Sequence, residues 1–157
     1  MGKRQQKFVE TIWLQIYCYR CKVEPAMRLG VLFISPRSDD AVLLSHMLGS
    51  LSLHFKHVAG LEQARRTIGG DPYQVILTEA RLPDGNWVDV LNLAREATPT
   101  SEVIVTDRFA DARFWAEALN LGAYDLIAQP FAKSEVQRTL SNACSRGTQT
   151  KVIRATV

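Results

Sequence analysis

The chain has 157 residues, of which 46% are hydrophobic and 22% charged, and its formal net charge is +3. This composition suits one globular domain with short extensions. Six basic and two acidic residues fall within residues 1–30, so the rest of the chain is nearly neutral and has no basic face suited to nucleic acid. The three cysteines form no disulfide framework, and no apolar run is long enough to span a membrane. We therefore expect a cytoplasmic protein that binds neither nucleic acid nor membranes.

Residues 1–27 precede the first predicted strand and form an N-terminal extension. Apolar residues recur in it at near-helical spacing, namely Phe8, Ile12, Trp13, Ile16 and Tyr19. An amphipathic helix that packs on the domain or on a second copy is one interpretation. The other is an upstream segment without such a role, because Met27 could itself begin a complete domain. Cys18 and Cys21 form a lone C-x-x-C, which we interpret as incidental thiols because no second pair accompanies it.

From residue 28 onward, strand-like and helix-like segments alternate. The predicted elements are, in chain order, strand Leu29–Ile34, helix Ser38–Leu51 with Ser38 as its cap, strand Leu53–Val58, helix Leu61–Ile68, strand Gln74–Thr78, helix Trp87–Glu96, strand Glu102–Val105, helix Ala110–Leu121, strand Ala123–Ala128 and helix Lys133–Cys144. Five alternating pairs predict an α/β fold with a doubly wound, five-stranded parallel sheet in the flavodoxin-like order 2-1-3-4-5. We place the domain at residues 28–145. The tail, residues 146–157, ends in a β-prone stretch that we expect to be disordered or to pair with a sheet edge.

Two motifs lie on this frame. The third strand ends at Glu79, and Leu82-Pro83-Asp84-Gly85 follows it, which puts a carboxylate where open α/β sheets place their chemistry. The segment Leu121–Phe131 (LGAYDLIAQPF) spans the end of the fourth helix, the fifth strand and the following loop. Together these motifs resemble the receiver domains of bacterial response regulators (CheY-like), and the resemblance covers about residues 28–145.

The resemblance implies a set of positions around the third strand. Receivers carry an acidic pair after the first strand that helps to hold Mg²⁺, and an aspartate that accepts the phosphoryl group. In this sequence the acidic pair corresponds to Ser35 and Pro36, and the aspartate to Glu79. Asp39 and Asp40 could replace the lost pair, but the first turn of the predicted helix accounts for them better. We therefore expect neither a metal nor a cofactor.

The switch positions of the family also differ. The lysine after the fifth strand corresponds to Gln129, and the hydroxyl after the fourth strand to Asp107, or to Thr106 if the loop shifts by one residue. The aromatic switch position on the fifth strand corresponds to Leu126. A pocket that holds Glu79 and Asp107 without a lysine is expected to repel anions.

These differences favour a degenerate receiver, or pseudo-receiver, that is not an enzyme and acts in signalling by dimerisation or partner docking. Glu79 would be either a permanent mimic of the phosphorylated state or, as we favour, a pocket carboxylate without a signalling role. One alternative is an atypical but functional phosphoacceptor of a two-component system. A second alternative is a flavodoxin-like domain that binds a small ligand in the altered crevice.

The candidate interface lies on the fourth helix. Phe114 and Trp115 are adjacent, so they cannot both point inward. Relatives use the face made by the fourth helix, fifth strand and fifth helix for dimers and partners, so we expect a homodimer or a protein partner there. The alternative is that both rings pack against the rim of the sheet. Trp87 offers the same choice at the crevice mouth, as a lid or a contact residue.

Overall fold

The computed structural model describes the backbone of residues 29–155 and the side chains through residue 147. The predicted amphipathic helix, Met27 and the C-x-x-C pair lie outside the described residues. Elements are numbered below in chain order within the main sheet, and a two-residue hairpin is named separately.

The alternation of strands and helices is confirmed. The strands are β1 (Leu29–Ile34), β2 (Leu53–Val58), β3 (Val75–Glu79), β4 (Glu102–Asp107) and β5 (Asp125–Ala128). The helices are α1 (Ser38–Met47), α2 (Leu61–Ile68), α3 (Trp87–Ala97), α4 (Ala112–Leu121) and α5 (Lys133–Ala155). All neighbouring strands pair in parallel, in the order β2-β1-β3-β4-β5. The predicted flavodoxin-like order is therefore correct.

The sheet is covered on both faces because its strands are apolar on both sides. Along β1, Val31 and Phe33 face one core while Leu32 and Ile34 face the other, and all four are fully buried. The first core is closed by α1 and α5, and the second by α2, α3 and α4. This double burial explains why the strands are continuous apolar runs rather than alternating ones.

Three predicted helix boundaries are wrong, and the first of them is the end of α1, which lies at Met47 rather than Leu51. Ser38 is the first residue of α1 rather than its cap; Arg37 occupies the cap position, and no side chain caps that end. The last helix does not end near Cys144 but continues to Ala155, so the expected disordered or strand-like tail is helical up to that residue. Gly147 is buried within α5 and lies against the carbonyls of Gln74 and Thr100.

Candidate functional site

The carboxyl ends of four strands bring the predicted site residues together. Glu79 is the last residue of β3, which lies between β1 and β4, and pairs in register with Thr106. Ser35 follows β1, and Gln129 follows β5. A cavity of about 290 Å³ lies over this edge, and its lining includes Glu79, Thr106, Asp107 and Gln129. The predicted positions at the ends of β1, β3, β4 and β5 therefore lie together at the carboxyl edge of the sheet.

Ser35 and Glu79 are in direct contact. The fully buried Ser35 hydroxyl donates to Glu79 Oε1 at 2.6 Å and accepts from the Arg37 backbone N–H at 3.0 Å. His57 Nε2, on β2, lies 2.7 Å from the Ser35 carbonyl oxygen and, because that oxygen can only accept, donates to it. Ser35 is therefore held from two sides, and it directs its proton at the half-buried carboxylate. A hydrogen bond of this kind, to an ionised acceptor, is stronger than one between neutral groups.

On the other side of Glu79, the polar contacts are longer. Gln129 Nε2 donates to the buried Thr106 hydroxyl at 3.4 Å, and that hydroxyl donates to the Thr78 carbonyl at 3.4 Å. Asp107 Oδ1 accepts from the Phe109 backbone N–H at 2.6 Å, which shapes the loop after β4. Leu126 is buried in the core and 7% exposed.

The charge of the crevice differs from expectation. Three arginines line the cavity, Arg37 after β1, Arg81 after β3 and Arg108 after β4, against the two carboxylates of Glu79 and Asp107. The expectation that this pocket repels anions counted only the acids and left out these three arginines. The arginines were missed because they belong to three separate loops, and no spacing along the sequence links them.

The loop after Glu79 is tied to a neighbouring helix. Arg81–Leu82 pairs with Gly85–Asn86 as an antiparallel hairpin, with Pro83 and Asp84 at its turn. The Asp84 carboxylate accepts hydrogen bonds from the backbone N–H groups of Leu61 at 2.8 Å and Glu62 at 2.9 Å. Asp84 therefore caps the start of α2 from a different part of the chain.

The cap residue of α2 itself is Gly60, which has no side chain to serve as a cap. A Cβ at that position would lie 2.7 Å from the Asp84 carboxylate. The hydrogen bonds from Glu62 and Leu61 hold the pKa of Asp84 below its ordinary value. In the sequence, the contact between Asp84 and the start of α2 is only weakly indicated. The two signals are a glycine before the helix and a Pro-Asp-Gly turn further along the chain.

Comparisons with known proteins agree with the fold. No family model matches the chain. It is 24% identical over 116 residues to the response regulator protein PilR of Pseudomonas aeruginosa, and 26% identical over 118 residues to the regulatory protein LuxO of Vibrio cholerae. These alignments cover 74% and 75% of this chain but 26% of each relative, so the chain spans about a quarter of their length.

Solved structures give the same result. The signal receiver domain of a putative LuxO repressor protein from Vibrio parahaemolyticus superposes with a TM-score of 0.75 at 19% identity, covering 81% of this chain and 98% of that one. The beryllofluoride-activated NtrC4 receiver domain dimer superposes with a TM-score of 0.70 at 24% identity, covering 75% of this chain and 98% of that one. The chain has a receiver-domain fold. The predicted resemblance is thereby confirmed.

The candidate interface residues separate into two groups. Trp87 is 7% exposed, and its ring lies 5.8 Å from that of the partly buried Phe114. Neither ring is on the outer surface, so Trp87 is not a lid or a contact residue. Trp115 is 46% exposed, and its indole N–H donates to Asp125 Oδ1 at 2.9 Å. Of the three aromatic candidates, Trp115 alone stands on the fourth-helix face.

Asp39 and Asp40 lie in the first turn of α1, as predicted. Asp40 Oδ2 is 3.8 Å from Arg108 Nη2, and no hydrogen-bond partner reaches that buried oxygen. Within the described residues, no three His, Cys, Asp or Glu side chains come together as a potential metal site. No helix in the same part of the chain is long and apolar enough to cross a bilayer.

Proposed function

We propose that this receiver-fold domain is a non-enzymatic, cytoplasmic signalling module that acts by protein interaction and independently of aspartyl phosphorylation. The observation that carries the proposal is the 2.6 Å hydrogen bond from Ser35 to Glu79. A neutral donor stands where the resemblance implies an acidic ligand, and it engages the carboxylate at the phosphoacceptor position.

The donor set does not suit Mg²⁺. That ion prefers carboxylate oxygens and near-octahedral geometry. Pro36 has no side-chain donor atom, and the Ser35 hydroxyl proton is directed at Glu79. Asp40, one of the two possible substitutes, lines the neighbouring cavity and faces Arg108 instead. Phosphoryl transfer of the receiver type uses Mg²⁺ to neutralise the charge that develops on the oxygens, and these residues do not suit that ion.

The same contacts argue against Glu79 as a mimic of a phosphorylated residue. Such a mimic would act by attracting the lysine and the switch hydroxyl. Gln129 stands at the lysine position without a charge, and its amide contacts Thr106 at 3.4 Å. Glu79 bonds Ser35, on the opposite side. We therefore favour a local structural role for this carboxylate.

Phosphorylation is tested by intact mass after incubation with Mg²⁺ and acetyl phosphate. The proposal predicts no added phosphoryl group on the native chain. The Glu79→Asp variant restores the usual nucleophile, and the double variant Ser35→Asp/Glu79→Asp also restores one acid. Uptake by the native chain would replace the proposal with a phosphoacceptor function. Uptake by a variant alone would assign the loss to the substituted positions and support the proposal.

The proposed interaction surface is the face of α4 and β5. Trp115 is 46% exposed and Leu121 43% exposed, and both lie on α4. Large exposed aromatic residues are frequent anchors in protein interfaces. NtrC4, a structural neighbour, was solved as a receiver domain dimer. We propose that two copies, or one copy and a protein partner, meet on this face.

Sedimentation equilibrium of the full chain tests the homodimer. We expect Trp115→Ala to weaken self-association by about tenfold, since a central aromatic anchor contributes on the order of 1–2 kcal/mol. Val42→Ala is the matched control, because Val42 is 56% exposed on α1, a different helix. A native chain that is monomeric at high concentration would limit the proposal to a heterologous partner. Equal weakening by both substitutions would rule out the α4 face.

A further inference from the structure

Two cavities adjoin at the carboxyl edge of the sheet. The first, of about 290 Å³, is the one lined by Glu79 and the three arginines. The second, of about 370 Å³, is lined mainly by apolar side chains, among them Leu43, Pro130 and Phe131. Arg108, Phe109 and Gln129 line both, so the two cavities form one crevice with a charged half and an apolar half. Their sizes fall near the lower end of those of small-molecule sites.

The charged half contains cations that lack partners. Neither the Arg37 nor the Arg81 guanidinium has a hydrogen-bond or ion-pair partner among the described residues. Arg108 is only loosely paired, at 3.8 Å from Asp40. The two acids already accept hydrogen bonds, Glu79 from Ser35 and Asp107 from the Phe109 backbone. An arriving anion would therefore meet uncommitted guanidinium donors, which suit the oxygens of phosphate, sulfonate or carboxylate groups.

The apolar half presents an aromatic ring to solvent. Phe109 is 86% exposed, the most exposed large hydrophobic side chain among the described residues, and Leu43 nearby is 43% exposed. The hydrogen bond from the Phe109 backbone N–H to Asp107 holds the loop that carries the ring. An exposed ring beside an apolar cavity is a surface on which a flat molecule can stack.

We propose that this crevice binds a small organic anion, with its acidic group among Arg37, Arg81 and Arg108 and a flat apolar body against Phe109 and Leu43. The two halves are adjacent, so one molecule can fill both. This inference does not rest on the proposed interaction function. The ligand would be held without a covalent bond and without Mg²⁺.

The probe is 1-naphthyl phosphate, titrated into the full chain by isothermal titration calorimetry. Inorganic phosphate represents its charged part, and 1-naphthalenemethanol its apolar part. We expect the whole probe to bind at least about tenfold more tightly than either part, because it engages both halves of the crevice. Its affinity should fall as salt is raised, since the arginines are exposed. Binding no tighter than that of its parts would overturn the proposal.

Three surface variants assign the contacts. Arg81→Gln should weaken the binding of 1-naphthyl phosphate by about fivefold to tenfold, since it removes one charge-assisted contact, and should leave the affinity for the neutral alcohol unchanged. Phe109→Ala should weaken the binding of both aromatic probes. Arg65→Gln is the matched control, because Arg65 is exposed on α2 and does not line the crevice. Equal losses in Arg65→Gln and Arg81→Gln would mean general charge attraction and no site.

The outcome is separable from that of the proposed interaction function. Ligand binding is measured at the carboxyl edge and at low protein concentration, whereas self-association is measured through Trp115 on α4. A chain that binds 1-naphthyl phosphate and does not associate supports this inference alone. A chain that associates and does not bind the probe overturns this inference alone.

Discussion

At the amino edge of the sheet, Gln74 is 2% exposed, and its side-chain oxygen accepts from the Gly30 backbone N–H at 2.5 Å. At the carboxyl edge, the half-buried Glu79 accepts from Ser35 at 2.6 Å beside an open cavity. The Gln74 backbone also exchanges hydrogen bonds with Gly30 and Glu102, both at 2.9 Å. Around Gln74 the amino edge is thus closed by its own polar groups, while around Glu79 the carboxyl edge leaves charges facing a cavity.

The largest expected effect is at the closed edge, in Gly30→Ala. A Cβ at Gly30 would lie 2.6 Å from the Pro72 carbonyl oxygen and 3.2 Å from the Tyr73 ring, so the backbone must shift. We expect a loss of about 3 kcal/mol in the free energy of unfolding, the upper range for overpacking. Urea denaturation followed by circular dichroism measures it.

Gly147→Ala is the control for that substitution. Its Cβ would lie 3.4 Å from the Thr100 carbonyl oxygen, 3.5 Å from that of Gln74 and 3.7 Å from the Gln74 Cβ, which are ordinary contacts, within a helix. Alanine favours helix by up to about 1 kcal/mol over glycine, so this variant should be as stable as the native chain or more stable. If Gly30→Ala were equally well tolerated, the amino edge would not be closely packed.

Gln74→Leu keeps the shape of the buried side chain and removes the acceptor for the Gly30 N–H. Water cannot readily replace it, because Gln74 is 2% exposed. We expect the free energy of unfolding to fall by about 2 kcal/mol, the cost of an unpaired buried donor. Thermal and urea unfolding of this variant and of the native chain would measure the difference. Equal stability of Gln74→Leu and the native chain would contradict the comparison.

Ser35→Ala makes the corresponding change at the open edge. It removes the donor to Glu79 and the acceptor for the Arg37 N–H, but both partners are close to solvent and can bond water. We expect a loss of about 1 kcal/mol, smaller than for Gln74→Leu despite two lost bonds. Ser35→Thr, which keeps the hydroxyl, is the comparison variant. A loss larger than that of Gln74→Leu would show that the crevice, too, holds the fold together.

The smallest expected effect is that of Asp84→Asn, and it depends on pH. Backbone hydrogen bonds lower the pKa of Asp84 in the folded chain, so its carboxylate stabilises the fold above about pH 4. This contribution is lost as the pH falls through the lowered pKa. At pH 7 the native chain should therefore unfold at a slightly higher urea concentration than Asp84→Asn. The urea midpoints of the native chain and the variant should converge near pH 2. A difference independent of pH would mean that the charge is not involved.

The strand order and the site edge followed from sequence because buried parallel strands are apolar runs with chemistry at their carboxyl ends. Contacts between distant segments did not follow. Asp84 caps a helix that begins 23 residues earlier, and the arginines of the crevice converge from three loops. Trp87 looked like a surface aromatic because it follows a polar turn, but helix α3 turns it onto Phe114. Local pattern defines elements, while packing decides which side chains meet.

The hydrogen bonds of Asp84 make the hairpin after Glu79 and the start of α2 a single mechanical unit. A ligand that displaces Arg81 at the base of the hairpin must either carry α2 with it or break two charge-assisted bonds. A displacement of the hairpin would therefore also displace the start of α2, which packs with α3 and α4 in the same core.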